Sequence, residues 1–518
     1  MQPALGFNDA FKAHLLRRLG SWGSRRSADD VRKLVTWAAR GLPDGVIRDR
    51  VQSFRRALDS SRAANDLVDS FFRITPLVRR RLIENLLVNW GVSGAATRYH
   101  IMETEGWMPP SFAVISPTMR CNLRCVGCYA FDYRRDGELT TAEFDDVIEQ
   151  CKALGIYFFT ISGGEPFVRE DLLDLIGKHS DAFFQIYTNG TLIDDAVADR
   201  LLELGNAMPA ISVEGYEAET DARRGAGTYA RLTSAMERLR ARKLLFGISF
   251  TATRRNHDII TDEAFYDHYI DRGALFAWIF QYIPIGRSPD VGLTPTPEQR
   301  TELRRFVHAL HRSKQLFVGD FWNDGVYTGG CMAGGRLYFH VTSNGGVEPC
   351  VFAHFSAGSV RKTPLREILQ CDFFKAIRYE QPYRANRNLY TPCMIIDNPE
   401  VLRRLVSEYG VRPSHPGAET IVTHPEIVAH LDQYSEDIKR LADPDWERDH
   451  WRNPKSEWYR GGGYRLTRQW AHERADLVEW MARREMINRG AEEHQKRPEE
   501  HQEHSEEHQE HSEEHAHL

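Results

Sequence analysis

From about residue 112 onward the chain repeats one pattern: a short apolar run, a turn rich in glycine or polar residues, then a stretch with helical spacing. The runs lie at 112–116, 157–162, 184–188, 210–214, 246–251 and 278–283. Between the first two, Phe144, Val147, Ile148 and Cys151 mark the buried face of a helix over 141–154. Helical spacing returns at 195–204 and 229–243. Strands separated by helices must pair in parallel, because a tight hairpin cannot join them. Six such units predict an α/β protein built on an open, partial (β/α)6 barrel. In that architecture ligands gather at the carboxyl ends of the strands, where loops and helix N-termini present free N–H groups.

The polar motifs fall at those ends. Cys121, Cys125 and Cys128 stand in CNLRCVGCY, with spacing C-x3-C-x2-C, after the first strand. Iron–sulfur centres are ordinarily held by four thiolates. Three close thiolates therefore leave one iron of a 4Fe-4S cubane open to another ligand. A structural zinc site would need a second close pair or added histidines, and Cys125 with Cys128 is the one C-x2-C pair among the eight cysteines. The run resembles the signature of the radical S-adenosylmethionine enzymes, in which the open iron chelates that cofactor.

The resemblance implies roles for further residues. Gly163, Gly164 and Glu165 in ISGGEP would meet the methionine amino group of the cofactor. Ser212 and Glu214 share one face of the fourth strand and resemble the pair that contacts the ribose and charged end. Arg224 resembles the arginine that meets the carboxylate; a surface salt bridge with Asp221 is the other reading. Asn189 in YTNG is either a cofactor neighbour or part of a simple turn. Ile283 packs on the adenine or in the core. Many members of the family carry an aromatic residue before the last cysteine. Here it is Gly127, so Tyr129 is expected to supply that surface.

Cys331 and Cys350 flank a second motif, C-x13-G-x4-C, with Gly345 at its centre and Cys393 downstream. A run ending at Thr342 and followed by Asn344–Gly345 reads as a hairpin arm and its turn. The motif resembles the opening of the SPASM or shorter Twitch domains, which hold auxiliary 4Fe-4S clusters. On this pattern Cys331, Cys350 and Cys393 support at most one such cluster, with Asp397, His340 or a substrate atom as the fourth ligand. Three reduced structural thiols are the alternative. Cys371 and Cys151 read as packing residues on helices.

Five segments follow: a helical region over 1–109, the barrel over 110–318, the auxiliary-cluster domain over 319–420, a helical extension over 421–490, and a His/Glu-rich tail over 491–518. In the first, Val78, Leu82, Ile83, Leu86, Leu87 and Trp90 predict a buried face on a helix beginning at Pro76. Arg79, Arg80 and Arg81 give that helix a basic face, either solvated or docked on a membrane surface. Spaced tryptophans after residue 445, Trp446 first, read as packing anchors. The tail is either solvated or a metal buffer.

The tail carries ten glutamates against Lys496 and Arg497, which more than accounts for the net charge of −6 and leaves the remainder near neutral; this argues against nucleic-acid binding. Polar opening residues and the lack of a long apolar segment argue against a signal peptide or a transmembrane helix, and eight cysteines in 518 residues without such a signal argue against disulfides and suit the cytoplasm. The resemblance implies reductive cleavage of S-adenosylmethionine to a 5′-deoxyadenosyl radical, hydrogen abstraction from a peptide or protein, and an electron donor such as flavodoxin or ferredoxin. A lipid or small metabolite is the alternative substrate. A non-catalytic iron–sulfur carrier is the reading from another class, which the glycine turn and the Ser212, Glu214 and Arg224 set argue against.

Overall fold

The computed structural model describes residues 62–130, 133, 137–381, 388–451 and 453, with isolated positions before residue 62. The His/Glu tail and the tryptophans beyond residue 451 lie outside the described residues. Within them, seven parallel strands run in chain order across one sheet: β1 (Phe112–Ile115), β2 (Phe158–Ile161), β3 (Phe183–Thr188), β4 (Ala207–Val213), β5 (Gly247–Ala252), β6 (Phe276–Gln281) and β7 (Phe317–Asp320). The six expected strands are present with shifted ends. The seventh is an addition: Gly319 and Asp320 cut its apolar run short, so it does not stand out in the sequence, and it straddles residue 318.

The helices form where the apolar spacing placed them. Thr141–Ala153 starts with a reciprocal cap between Thr140 and Glu143 and buries Phe144, Val147, Ile148 and Cys151. Asp195–Leu204 is capped by Asp194, and Thr228–Ala241 follows β4. These helix faces pack against one face of the strands, through residues such as Ile115, Phe159, Ile186, Ile211 and Ile248, in one continuous core.

The second cysteine region joins the same sheet. β8 (His340–Val341) pairs in parallel with β1, placing Val114 beside His340 and Ile115 beside Val341. β9 (Gly346–Glu348) returns antiparallel to β8. Its turn is the expected one, with Gly345 at φ 87°, a conformation that glycine adopts without steric cost. β10 (Phe355–Ser356) and β12 (Arg412–Pro413) form a separate two-stranded ladder, and β11 (Gly358–Ser359) extends the main sheet beyond β9. Residues on either side of 318 thus share one sheet.

The N-terminal helix departs from expectation. It begins at Pro76, but after Leu82 it widens into a π-helical stretch, Ile83–Gly94. Hydrogen bonds to i+5 shift the side-chain phase relative to an α-helix. Leu87, expected on the buried face, is 63% exposed, while Asn85 and Val88 turn inward. Asn85 donates from Nδ2 to the carbonyls of Ser180 and Ala182. Arg79 is also buried, its guanidinium donating to the Phe72 carbonyl and lying over the Phe72 ring, so it belongs to neither a solvated nor a membrane-facing surface. Trp446 ends the helix Pro425–Trp446 buried edge-on against Tyr390, as a packing anchor should. Among the described residues no helix is long and apolar enough to cross a membrane.

Candidate functional site

One cavity of about 220 Å³ opens at the carboxyl ends of the strands, and all six singled-out cysteines line it. Cys121, Cys125 and Cys128 border it from the loop after β1; Cys331, Cys350 and Cys393 border it from the β8–β9 side. Phe112, Tyr129, Tyr187, Phe280, Trp322 and Phe352 make much of the remaining wall aromatic.

The first loop is held by its neighbours' backbones. Gly164 N–H donates to Thr118 O and Glu165 N–H to Arg120 O, both at 2.9 Å. A Cβ on Gly163 would come within 2.4 Å of Thr118 O, and one on Gly164 within 2.2 Å of Arg120 O. Both glycines line the cavity, yet their close approach is to the segment leading into Cys121 as well as to the open space. Glu165 does not face the cavity. It is fully buried and accepts hydrogen bonds from Thr188 Oγ1 (2.7 Å), Asn189 N–H (2.8 Å) and Phe167 N–H (3.2 Å). Burial pushes its carboxyl up to about 7. Its place is to pin the end of β3 beneath the ISGGEP turn.

Asn189 lines the cavity and also closes the turn, donating to Asn122 Oδ1 and accepting from Thr191 N–H. Ser212 lines the cavity with its Oγ 3.3 Å from that of Ser249 on β5. Glu214 lies beyond the end of β4 and is not part of the wall. Its two oxygens are taken by Arg223 and Arg224. Arg224 therefore pairs with Glu214, not with Asp221, which instead accepts from Gly227 N–H and Tyr229 N–H at the next helix N-terminus. Arg223, unforeseen although adjacent in the sequence, donates to Val126 O and accepts from Val126 N–H. It ties the cysteine loop to Glu214.

Ile283 lines the cavity. Tyr129 does too, but its ring packs on Phe352 and its hydroxyl bonds Ser162, which turns it toward the second cysteine set. The aromatic surface over Gly127 comes from Tyr282: a Cβ at Gly127 would lie 2.7 Å from the Tyr282 ring, and Gly127 has φ 63°. Tyr282 was invisible in the sequence because it arrives from the far end of β6.

The second set is built from separated segments. Cys393 is 8% exposed; its sulfur accepts from Ile395 N–H at 3.3 Å, and its own N–H donates to Asp397 at 2.9 Å. Asp397 is fully buried, both of its oxygens bonded to Arg300, and it does not border the cavity. His340 is equally committed, to Ser116 Oγ at 2.8 Å and Glu348 at 2.7 Å. Cys371 caps the helix Asp372–Glu380, packs on the barrel core and stays outside the cavity wall. Tyr338 was not anticipated; its hydroxyl lies 3.1 Å from Cys350 Sγ.

The donor set fits metal-bound sulfur. Burial pushes the Cys121 thiol up to about 11 and the Cys350 thiol up to about 12, so thiolates form here only with a cation to balance them. Among the described residues no three His, Cys, Asp or Glu side chains converge as a single ion requires. A cubane is larger than an ion and spreads its ligands apart.

Comparison with known proteins returned matches over both regions. The model of the radical SAM superfamily matches residues 115–252, and that of an iron–sulfur cluster-binding domain, SPASM, matches residues 331–394. The mycofactocin maturase of Mycobacterium ulcerans is 34% identical over 263 residues, covering 47% of this chain and 69% of that protein. The AdoMet-dependent heme synthase of Methanosarcina barkeri is 28% identical over 291 residues, 50% of this chain and 82% of its own. The PqqA peptide cyclase of Granulibacter bethesdensis is 27% identical over 306 residues, 57% and 81% respectively.

Proposed function

The chain belongs to the radical S-adenosylmethionine superfamily, with a SPASM-type iron–sulfur domain, and we propose that it is an enzyme acting on a peptide or protein held between two iron–sulfur centres. The observation that carries this reading is the single cavity bordered at one side by Cys121, Cys125 and Cys128 and at the other by Cys331, Cys350 and Cys393. When bound, the first cluster and S-adenosylmethionine supply a 5′-deoxyadenosyl radical able to take hydrogen from an unactivated carbon.

The residues around that group bind, orient and exclude water. Cys121, Cys125 and Cys128 hold the first cluster, and Gly163 and Gly164 offer backbone to the cofactor beside it. Ser212, Asn189 and Ile283 border the cofactor's remaining length. Arg224, steadied by Glu214, presents a guanidinium to its carboxylate. Glu165 and Glu214 act from behind the wall as supports. Tyr282 and Tyr129 give aromatic surface on either side of Cys128. Cys331, Cys350 and Cys393 hold the second cluster.

The character of the wall favours a neutral substrate segment. Its charged side chains, among the described residues, are Arg223 and Arg224, both already tied to Glu214. A substrate bearing several carboxylates would find no further cation there, whereas apolar side chains of a peptide would find aromatic rings. One relative is named for cyclising a peptide. We place the reaction in the cytoplasm, with a flavodoxin or ferredoxin as electron donor.

Anaerobic reconstitution with iron, sulfide, reductant and S-adenosylmethionine tests the reading. 5′-Deoxyadenosine should form with the parent protein and not with Cys125→Ala. Equal product from both would sink the enzyme assignment. Deuterium should pass into 5′-deoxyadenosine from a perdeuterated candidate peptide, and transfer from a tetrapyrrole but no peptide would replace the substrate class.

A further inference from the structure

We propose that Tyr338 is a positioning residue of the second iron–sulfur centre, whose hydroxyl donates a hydrogen bond to the Cys350 sulfur and thereby raises that centre's reduction potential. The inference rests on the reading of Cys331, Cys350 and Cys393 as cluster ligands.

The geometry is that of a hydrogen bond, not of a ligand. Tyr338 Oη and Cys350 Sγ are 3.1 Å apart. A metal-bound thiolate carries no proton, so the phenol is the donor. Tyr338 and Cys350 are 5% and 7% exposed, and both border the cavity. A hydrogen bond made in such low-dielectric surroundings is stronger than one in water.

The donor is held rigidly. The Tyr338 ring stacks on Phe112, the first residue of β1, with centroids 5.2 Å apart and planes 22° apart. Its backbone N–H donates to Met332 O, and its carbonyl accepts from Gly335 N–H, both at 3.0 Å. Tyr338 thus reaches the sulfur while braced against the barrel's first strand. Cys393 and Cys121 receive backbone N–H groups, from Ile395 at 3.3 Å and Leu123 at 3.4 Å; Cys350 receives those of Phe352 and Ala353 and, in addition, the Tyr338 hydroxyl.

A donor at sulfur withdraws negative charge from the cluster. The reduced state carries one more negative charge than the oxidised state and gains more from the bond, so the potential rises. Losing the hydroxyl should lower it without loosening iron, because three cysteines still ligate.

The test uses the full chain with Cys121, Cys125 and Cys128 replaced by alanine, so that the second centre alone gives a signal. Tyr338→Phe keeps the ring and its stacking. After anaerobic reconstitution, iron content should equal that of the Tyr338 parent, and the midpoint potential from an EPR-monitored redox titration should shift negative. Fluorotyrosine placed at 338, a stronger donor with the same ring, should shift it positive and serves if Tyr338→Phe does not fold. An unchanged potential at full iron content overturns the proposal. Loss of iron in Tyr338→Phe also overturns it, since Tyr338 would then be holding the cluster rather than tuning it. If Cys331→Ala and Cys350→Ala retain all their iron in that background, the cluster reading itself fails, and the failure is separable from one at Tyr338.

Discussion

The two cysteine sets face one cavity but are assembled in opposite ways. Cys121, Cys125 and Cys128 occupy a single loop, and their spacing follows from local sequence. Cys331, Cys350 and Cys393 come from a turn, a hairpin and a pre-helical loop, and only packing unites them. The first loop is braced by backbone hydrogen bonds to the ISGGEP turn and by the Glu214–Arg223–Val126 clamp. The second set is braced by buried side chains, with Arg300 on Asp397 and Tyr338 on Cys350.

The largest effects should come from the cysteines themselves. Cys125→Ala should abolish 5′-deoxyadenosine formation, while Cys393→Ala should lose the iron of one cluster and retain cofactor cleavage without substrate turnover. If the two variants behaved alike, the division of roles would fail. Next, Arg300→Met leaves Asp397 buried and unpaired, which should cost about 3–5 kcal/mol in denaturant unfolding. Iron should be lost from the second centre while the first keeps its EPR signal.

Gly164→Ala is the mirror experiment. Its Cβ would press on Arg120 O in the lead-in to Cys121, and overpacking of this kind costs about 1–3 kcal/mol. Iron bound by the first set should fall and that of the second should hold. The smallest effect belongs to Leu87→Lys. An apolar stripe in an α-helix would make it severe, but the π-helical stretch exposes Leu87, so the melting curve should move by no more than about 0.5 kcal/mol.

The strand runs, the helix from Thr141 and the hairpin at Gly345 were legible because they rest on short-range rules: periodicity, capping and a glycine turn. Leu87 was misread because a change from i+4 to i+5 hydrogen bonding leaves no mark in the apolar spacing. β7 was missed because Gly319 and Asp320 interrupt its apolar run. Glu165 and Glu214 were read as cofactor contacts, since sequence reveals a carboxylate near a strand end but not which way it turns. Both are buried under hydrogen bonds from the protein itself.

The sequence by itself carried the resemblance to the radical S-adenosylmethionine enzymes, because three closely spaced cysteines in one loop need no tertiary partner to be recognised. Only the tertiary structure decided where the second set stands. The pairing of β8 with β1 brings residues more than two hundred positions apart to one strand end. It also removed Asp397 and His340 as ligands, by giving each a buried partner, and brought Tyr338 to Cys350. Such pairings depend on the sum of packing across the whole sheet, which no local run of residues encodes.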